Sequence, residues 1–130
     1  MAGSLAGTLD EMGTTVLIVD DSPTFRSAAR LLLESEGYEV LGEAGDGETA
    51  VACARTLEPE LVLLDVMLPD TDGFDVAGRL TGRGDGPGVI LVSSHDASDF
   101  GPLVEQSGAH GFVAKSDLSG PAIAALLPQR

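Results

Sequence analysis

Four apolar stretches of this chain end in groups able to do chemistry. Val16-Leu17-Ile18-Val19 runs into Asp20-Asp21, Leu61-Val62-Leu63-Leu64 into Asp65, Val89-Ile90-Leu91-Val92 into Ser93, and Gly111-Phe112-Val113-Ala114 into Lys115, the only lysine present. A polar residue where a strand reaches solvent is ordinary, and that explains any one of these ends taken alone. It explains poorly why three acids, a hydroxyl and the sole lysine should all fall at strand ends. If the strands run parallel, their C-terminal ends share one rim, where ligands bind in open α/β sheets. Carboxylates crowded there repel one another and call for a cation. Oxygen donors in small number suit Mg²⁺, which keeps several waters and binds through one or two carboxylates. The charges of three acids, a divalent ion and one lysine then sum to zero, so a phosphoryl group could enter without meeting uncompensated negative charge. On this reading Asp65 is the nucleophile and forms an acyl phosphate. Mg²⁺ and Lys115 stabilise charge on the transferring oxygens, and Ser93 donates a hydrogen bond to one of them.

The elements that would position these groups alternate along the chain. Thr15 to Val19 reads as a strand buried on both faces, because it is a continuous β-branched run. Ser22-Pro23 opens a helix carrying Phe25, Ala28, Ala29, Leu32 and Leu33 at helical spacing, and Gly37 stops it. Tyr38 to Leu41 reads as a short strand, Asp46 to Leu57 as a helix, and Glu60 to Asp65 as a third strand. A loop through Pro69 and Asp72-Gly73 leads to a short helix from Phe74 to Leu80. Val89 to Ser93 is the fourth strand. A helix from about Asp99 to Ser107 follows, weakened at its start by Gly101-Pro102, then a fifth strand from Gly111 to Lys115 and a last helix from about Ser119 to Leu127. Strands and helices in alternation predict right-handed crossovers and a doubly wound α/β sandwich, its parallel five-stranded sheet covered on both faces. Residues 1–14 show no apolar period and read as a flexible tail, or as a remnant preceding a natural start at Met12. The domain itself is expected over residues 15–127.

In order and spacing these motifs resemble the receiver domains of two-component response regulators. The resemblance is carried by Val19-Asp20-Asp21-Ser22, by Leu64-Asp65-Val66-Met67-Leu68-Pro69 with the Gly73 that follows, by Val92-Ser93-Ser94, and by Gly108-Ala109-His110-Gly111-Phe112-Val113-Ala114-Lys115. It covers residues 15 to 127 and implies a flavodoxin-like fold with strand order 2-1-3-4-5. It also implies phosphorylation of Asp65 by a histidine kinase or phosphotransfer protein. Direct Mg²⁺ ligands would be Asp21, Asp65 and the Met67 carbonyl, with Asp20 acting partly through water. The resemblance further assigns a switch, in which Ser93 moves toward the phosphoryl group and Phe112 turns inward. Ser93 is preferred to Ser94 because its spacing to Lys115 matches the family without a gap. Phe112 can equally be read as a permanently buried core residue. Gly37 to Ala44 looks like receivers attached to helix-turn-helix output domains. Where many receivers have proline after the lysine, this chain has Ser116, so a cis bond there is not expected.

Composition bounds the rest. The chain has 130 residues, 43% hydrophobic but 4% aromatic, so one core of Leu, Val, Ile and Ala is expected. Acids outnumber Lys and Arg by 21 to 7, giving a formal charge of −14 that disfavours direct contact with nucleic acid. No stretch is long enough to span a membrane and no signal peptide is visible, so a cytoplasmic location is expected. Cys53 reads as a small buried thiol, His95 as a solvated residue or a modulator of phosphoryl loss, and His110 as an exposed turn residue. Arg83-Gly84-Asp85 has the look of an adhesion motif but sits in a Gly-rich connector. Asp70-Thr71-Asp72-Gly73 suggests a haloacid-dehalogenase-type hydrolase or a calcium loop. Pro69 separates that segment from the strand, and the bidentate Glu of a calcium loop is missing. A binding module that works without phosphorylation is a third reading, disfavoured by the intact acids, hydroxyl and lysine. Finally, Leu118 to Leu127 carries no charge. A helix there should leave some of Ala122, Ala125 and Leu126 exposed beside Phe112, either as a dimer or partner surface or as alanines that touch nothing.

Overall fold

A computed structural model describes residues 14–82 and 86–126. Most of the expected tail, Arg83-Gly84-Asp85 and Leu127 lie outside them. Among the described residues the strands are β1 (Thr15–Val19), β2 (Glu39–Ala44), β3 (Leu61–Asp65), β4 (Gly88–Ser93) and β5 (Gly111–Ala114). The helices are α1 (Pro23–Ser35), α2 (Gly47–Leu57), α3 (Gly73–Thr81), α4 (Leu103–Gln106) and α5 (Gly120–Leu126). All strand pairings are parallel, in the order β2-β1-β3-β4-β5.

Successive strand residues face opposite sides of a sheet, and here both sides are covered. Leu17, Val19, Val62, Leu64, Val89 and Leu91 face α2 and α3, against Ala50, Val51, Ala54, Val76 and Ala77. Val16, Ile18, Leu61, Leu63, Ile90, Val92 and Val113 face α1 and α5, against Ala29, Leu33 and Ile123. This is why the strand sequences are apolar throughout and do not alternate. Each buried Leu or Ile contributes about 2–3 kcal/mol by leaving water. The rim where the strands end is therefore mounted on a stiff support.

Several boundaries differ from those expected. β2 continues to Ala44, because Gly42, Glu43 and Ala44 pair with Leu17, Ile18 and Val19. Pairing along the whole of β1 overrides a composition that disfavours a strand. The expected helix from Asp99 to Ser107 is instead a 3₁₀ turn, Ala97–Phe100, and the single α turn of α4. Gly101 separates them at φ +59°, a conformation open to glycine. β5 stops at Ala114, and Lys115 opens a 3₁₀ turn, Lys115–Asp117. Cys53 is partly exposed rather than buried. On α5, Ala122 and Leu126 pack toward the core and Ala125 is exposed.

Candidate functional site

β1 delivers Asp20 to the rim completely buried. Its backbone N–H donates to the Ala44 carbonyl at 3.0 Å, extending the sheet by one rung. Its carbonyl accepts from Arg26 Nη1 at 2.6 Å, and its Oδ1 accepts from the Ser22 N–H at 2.8 Å. Ser22 in turn caps α1, its hydroxyl accepting from Phe25 N–H at 3.2 Å, with Pro23 in the first turn where no N–H is needed. The turn that follows β1 thus starts α1 and aims Asp20 inward in one stroke, while Asp21 stays exposed.

β3 brings Asp65 beside it, 5% exposed. Its Oδ1 accepts from the Met67 N–H at 3.3 Å. The chain then folds back so closely that a Cβ on Gly73 would collide with the Asp65 carbonyl oxygen and lie 2.9 Å from Val66 Cα. Gly73 N–H donates to the Val66 carbonyl at 2.6 Å. Glycine is required here for close approach of two backbones, and α3 begins from that contact. Asp72 caps α3 by accepting from Asp75 N–H at 2.8 Å. Asp70 reaches across to α2, accepting from the N–H groups of Gly47 at 2.8 Å and Glu48 at 3.1 Å. These bonds hold the Asp70 carboxyl below the usual carboxylate range. The acids of Asp70-Thr71-Asp72-Gly73 are thus engaged in capping helices, which accounts for the motif without a hydrolase or a calcium loop.

Lys115 closes the site from β5. Its Nζ lies 2.7 Å from Asp20 Oδ2 and 3.6 Å from Asp65 Oδ2, and 4.5 Å from the centroid of the Phe25 ring. Oxygens of Asp20, Asp21 and Asp65 all fall within 4.8 Å of one another. One ammonium does not balance three acids. Burial pushes the Asp65 carboxyl up to about 6, Asp20 adds to the rise, and Lys115 and the Met67 N–H oppose it. Asp20 Oδ2 is buried and takes no properly angled hydrogen bond, despite the nearby ammonium. A cluster of hard oxygens with excess negative charge and a buried oxygen short of a donor fits a small divalent cation. Met67 is 61% exposed, and because its thioether is a soft donor only its backbone carbonyl would suit such an ion.

Ser93 is buried and Ser94 exposed. Ser93 stands one residue past Val92, the partner of Asp65 in the sheet, and its hydroxyl accepts from His95 N–H at 3.1 Å. His95 is exposed, with its ring edge-on to Phe100 at 6.4 Å. Phe112 is half-buried, its ring centroid 5.8 Å from Phe100, which meets Phe74 at 5.5 Å. Phe100 therefore ties the turn after β4 to both α3 and β5. His110 is exposed as expected, but its Nδ1 accepts from Val89 N–H at 3.3 Å.

Sequence reasoning missed Arg26 and Phe100, and it met Asp70 only as part of a hydrolase-like or calcium-loop-like motif, not as the cap of α2. Arg26 carries the Asp20 carbonyl and is held by Glu43 Oε1 at 3.0 Å, while Arg30 binds Glu43 Oε2 at 2.8 Å. The Glu43 carboxyl is held below its usual range, chiefly by the Arg30 hydrogen bond, with burial opposing and Arg26 assisting. The only signal in the sequence was the spacing of Arg26 and Arg30, one helical turn apart.

Comparison with known proteins agrees with this geometry. The family model "Response regulator receiver domain" matches residues 16–121. The chain is 41% identical over 106 residues to the virulence factors putative positive transcription regulator BvgA of Bordetella pertussis, covering 82% of this chain and 51% of that one. It spans about half the length of the curated relatives it matches. Among solved structures, the signal receiver domain of the putative response regulator NarL from Mycobacterium tuberculosis aligns with TM-score 0.77 and 30% identity, over 88% of this chain and 96% of that one. The CheX–CheY–BeF₃–Mg complex from Borrelia burgdorferi aligns with TM-score 0.75 and 26% identity, over 86% and 84%. A parallel 2-1-3-4-5 sheet whose rim gathers three aspartates and the sole lysine, and a family model spanning that whole sheet, lead to one assignment: this chain belongs to the response regulator receiver domains.

Proposed function

We propose that this receiver takes a phosphoryl group onto Asp65 from a phosphohistidine of a kinase or phosphotransfer protein, with Mg²⁺ as cofactor. The observation that carries the reading is the convergence of Asp20, Asp21 and Asp65 within 4.8 Å, with Lys115 reaching two of them. A carboxylate oxygen of Asp65 attacks phosphorus, the phosphorus–nitrogen bond breaks, and neutral imidazole departs with a proton from solvent. Lys115 and Ser93 bind the incoming oxygens. Asp20, Asp21, Asp65 and the Met67 carbonyl would hold the ion, which when bound neutralises charge on the acids and the transferring oxygens. The solved CheY relative, which carries BeF₃ and Mg, supports this choice of cofactor. Beyond its own phosphorylation and dephosphorylation the domain is not an enzyme.

Ser93 and Phe112 are the switch on this reading. Phe112 lines a groove of about 400 Å³ with Asp96, Asp117, Ala122, Ala125 and Leu126, which supports a partner or dimer surface at that face. Relatives of about twice this length are named as putative transcription regulators, which supports control of transcription as the output. The formal charge of −14 argues that this domain does not itself touch nucleic acid. Among the described residues no helix is long and apolar enough to cross a membrane, in keeping with work in the cytoplasm. Incubation with acetyl phosphate and Mg²⁺ should add one phosphoryl mass, absent with EDTA and in Asp65→Asn. Labelling that persists unchanged in Asp65→Asn refutes the assignment.

A further inference from the structure

The peptide joining Asp20 to Asp21 is held by a side chain, and the peptide before it by the sheet. The carbonyl of the Asp20–Asp21 peptide accepts from Arg26 Nη1 at 2.6 Å, and the residue that carries it is fastened to β2 through Asp20 N–H and the Ala44 carbonyl at 3.0 Å. The orientation of that peptide plane sets the direction in which Asp21, otherwise exposed, leaves the strand. Arg26 is itself aimed. Its Nε donates to Glu43 Oε1 at 3.0 Å, and the other oxygen of Glu43 is taken by Arg30 Nε at 2.8 Å. The Arg26 side chain is only 21% exposed. A planar guanidinium can serve a carbonyl and a carboxylate at once, whereas an ammonium on a flexible stem cannot do so in fixed geometry.

From this geometry we infer that Arg26 is a positioning residue for the acid pair, setting the Asp20–Asp21 peptide so that both carboxylates meet one ion. The inference rests on the reading of the triad as the Mg²⁺ site. It makes a prediction opposite in sign to simple electrostatics. Removing a positive charge near a cation site should strengthen cation binding, while releasing the peptide should weaken it. Groups that orient metal ligands without touching the metal typically matter by about 10–100-fold in affinity.

The test is Mg²⁺ titration of the unphosphorylated protein by calorimetry, with urea unfolding alongside. Wild type should bind Mg²⁺, and failure to do so refutes the site and not merely the role of Arg26. Arg26→Ala should bind about tenfold more weakly. Arg26→Lys keeps the charge and gives a second reading should the alanine variant fail to fold, and it should also bind more weakly than wild type. Arg30→Ala removes one of the two arginines on Glu43 but leaves the Arg26 bonds to Glu43 and to the Asp20 carbonyl, so its Mg²⁺ affinity should fall less than that of Arg26→Ala. Unchanged or tighter binding in a folded Arg26 variant overturns the inference. So does an equal loss in Arg30→Ala, since Arg26 would then act only through general stability.

Discussion

Removing the charge of Asp65 should make the metal-free protein more stable. The folded state raises that carboxyl from its ordinary 3.8 to about 6, first through burial and then through Asp20. Each tenfold in proton affinity is worth about 1.4 kcal/mol, so ionised Asp65 costs the native state up to about 3 kcal/mol. Lys115, which opposes the rise, recovers part of that cost by pairing with the ionised acid, so a gain of about 1–3 kcal/mol is expected on removing the charge. The sign follows from proton counting. Between about pH 4 and pH 6 the native state holds a proton that the unfolded chain has lost, so stability falls as pH rises through that window. Asparagine imitates the protonated acid and can still accept from the Met67 N–H. In urea unfolding with EDTA, Asp65→Asn should therefore exceed wild type by about 1–3 kcal/mol near pH 7.5, and the gain should shrink toward zero near pH 4. Excess Mg²⁺ should narrow or reverse the difference at neutral pH. A variant less stable than wild type near pH 7.5 without metal, or a gain that ignores pH, would refute the reasoning.

Three further outcomes are expected. Mg²⁺ at a hundredfold over its dissociation constant should stabilise wild type by about 2.7 kcal/mol in thermal unfolding, and Asp21→Ala should lose most of that rise. Gly73→Ala should lower stability by about 1–3 kcal/mol, because the new methyl meets the Asp65 carbonyl and Val66 Cα, both backbone that cannot rotate away; a urea midpoint equal to wild type would contradict the close approach. If the groove beside Phe112 serves self-association, beryllofluoride with Mg²⁺ should raise the sedimentation coefficient at high protein concentration. A monomer in both states leaves an external partner as its use.

What the sequence disclosed, and what it concealed, follow from the same physics. β1, β3 and β4 were legible because a strand buried on both faces must be apolar throughout, and Asp20, Asp21, Asp65, Ser93 and Lys115 followed because parallel strands end on one side. The last three residues of β2 were not legible: Gly42 and Glu43 are poor strand formers, held there by pairing with Leu17 and Ile18. The break before α4 was half visible in Gly101-Pro102, but its consequence, a separate 3₁₀ turn that brings Phe100 against Phe112, depends on tertiary packing. The roles of Arg26 and Asp70 were hidden for a different reason. Both bind backbone groups, the Asp20 carbonyl and the Gly47 and Glu48 amides, and a backbone partner leaves no mark in the side-chain sequence.

The reach of Asp70 bears on how firmly the first turn of α2 is held. The first four amides of a helix have no partner within it. In α2, Thr49 and Ala50 are served by Asp46, the residue next door, but Gly47 and Glu48 wait for a carboxylate from beyond β3. A helix of 11 residues is marginal on its own. Its first turn is therefore complete only while the loop after β3 lies over it. In the native protein the Gly47 and Glu48 amides should then exchange with solvent hydrogen at the pace of that loop's opening, not at the faster pace of a fraying helix end.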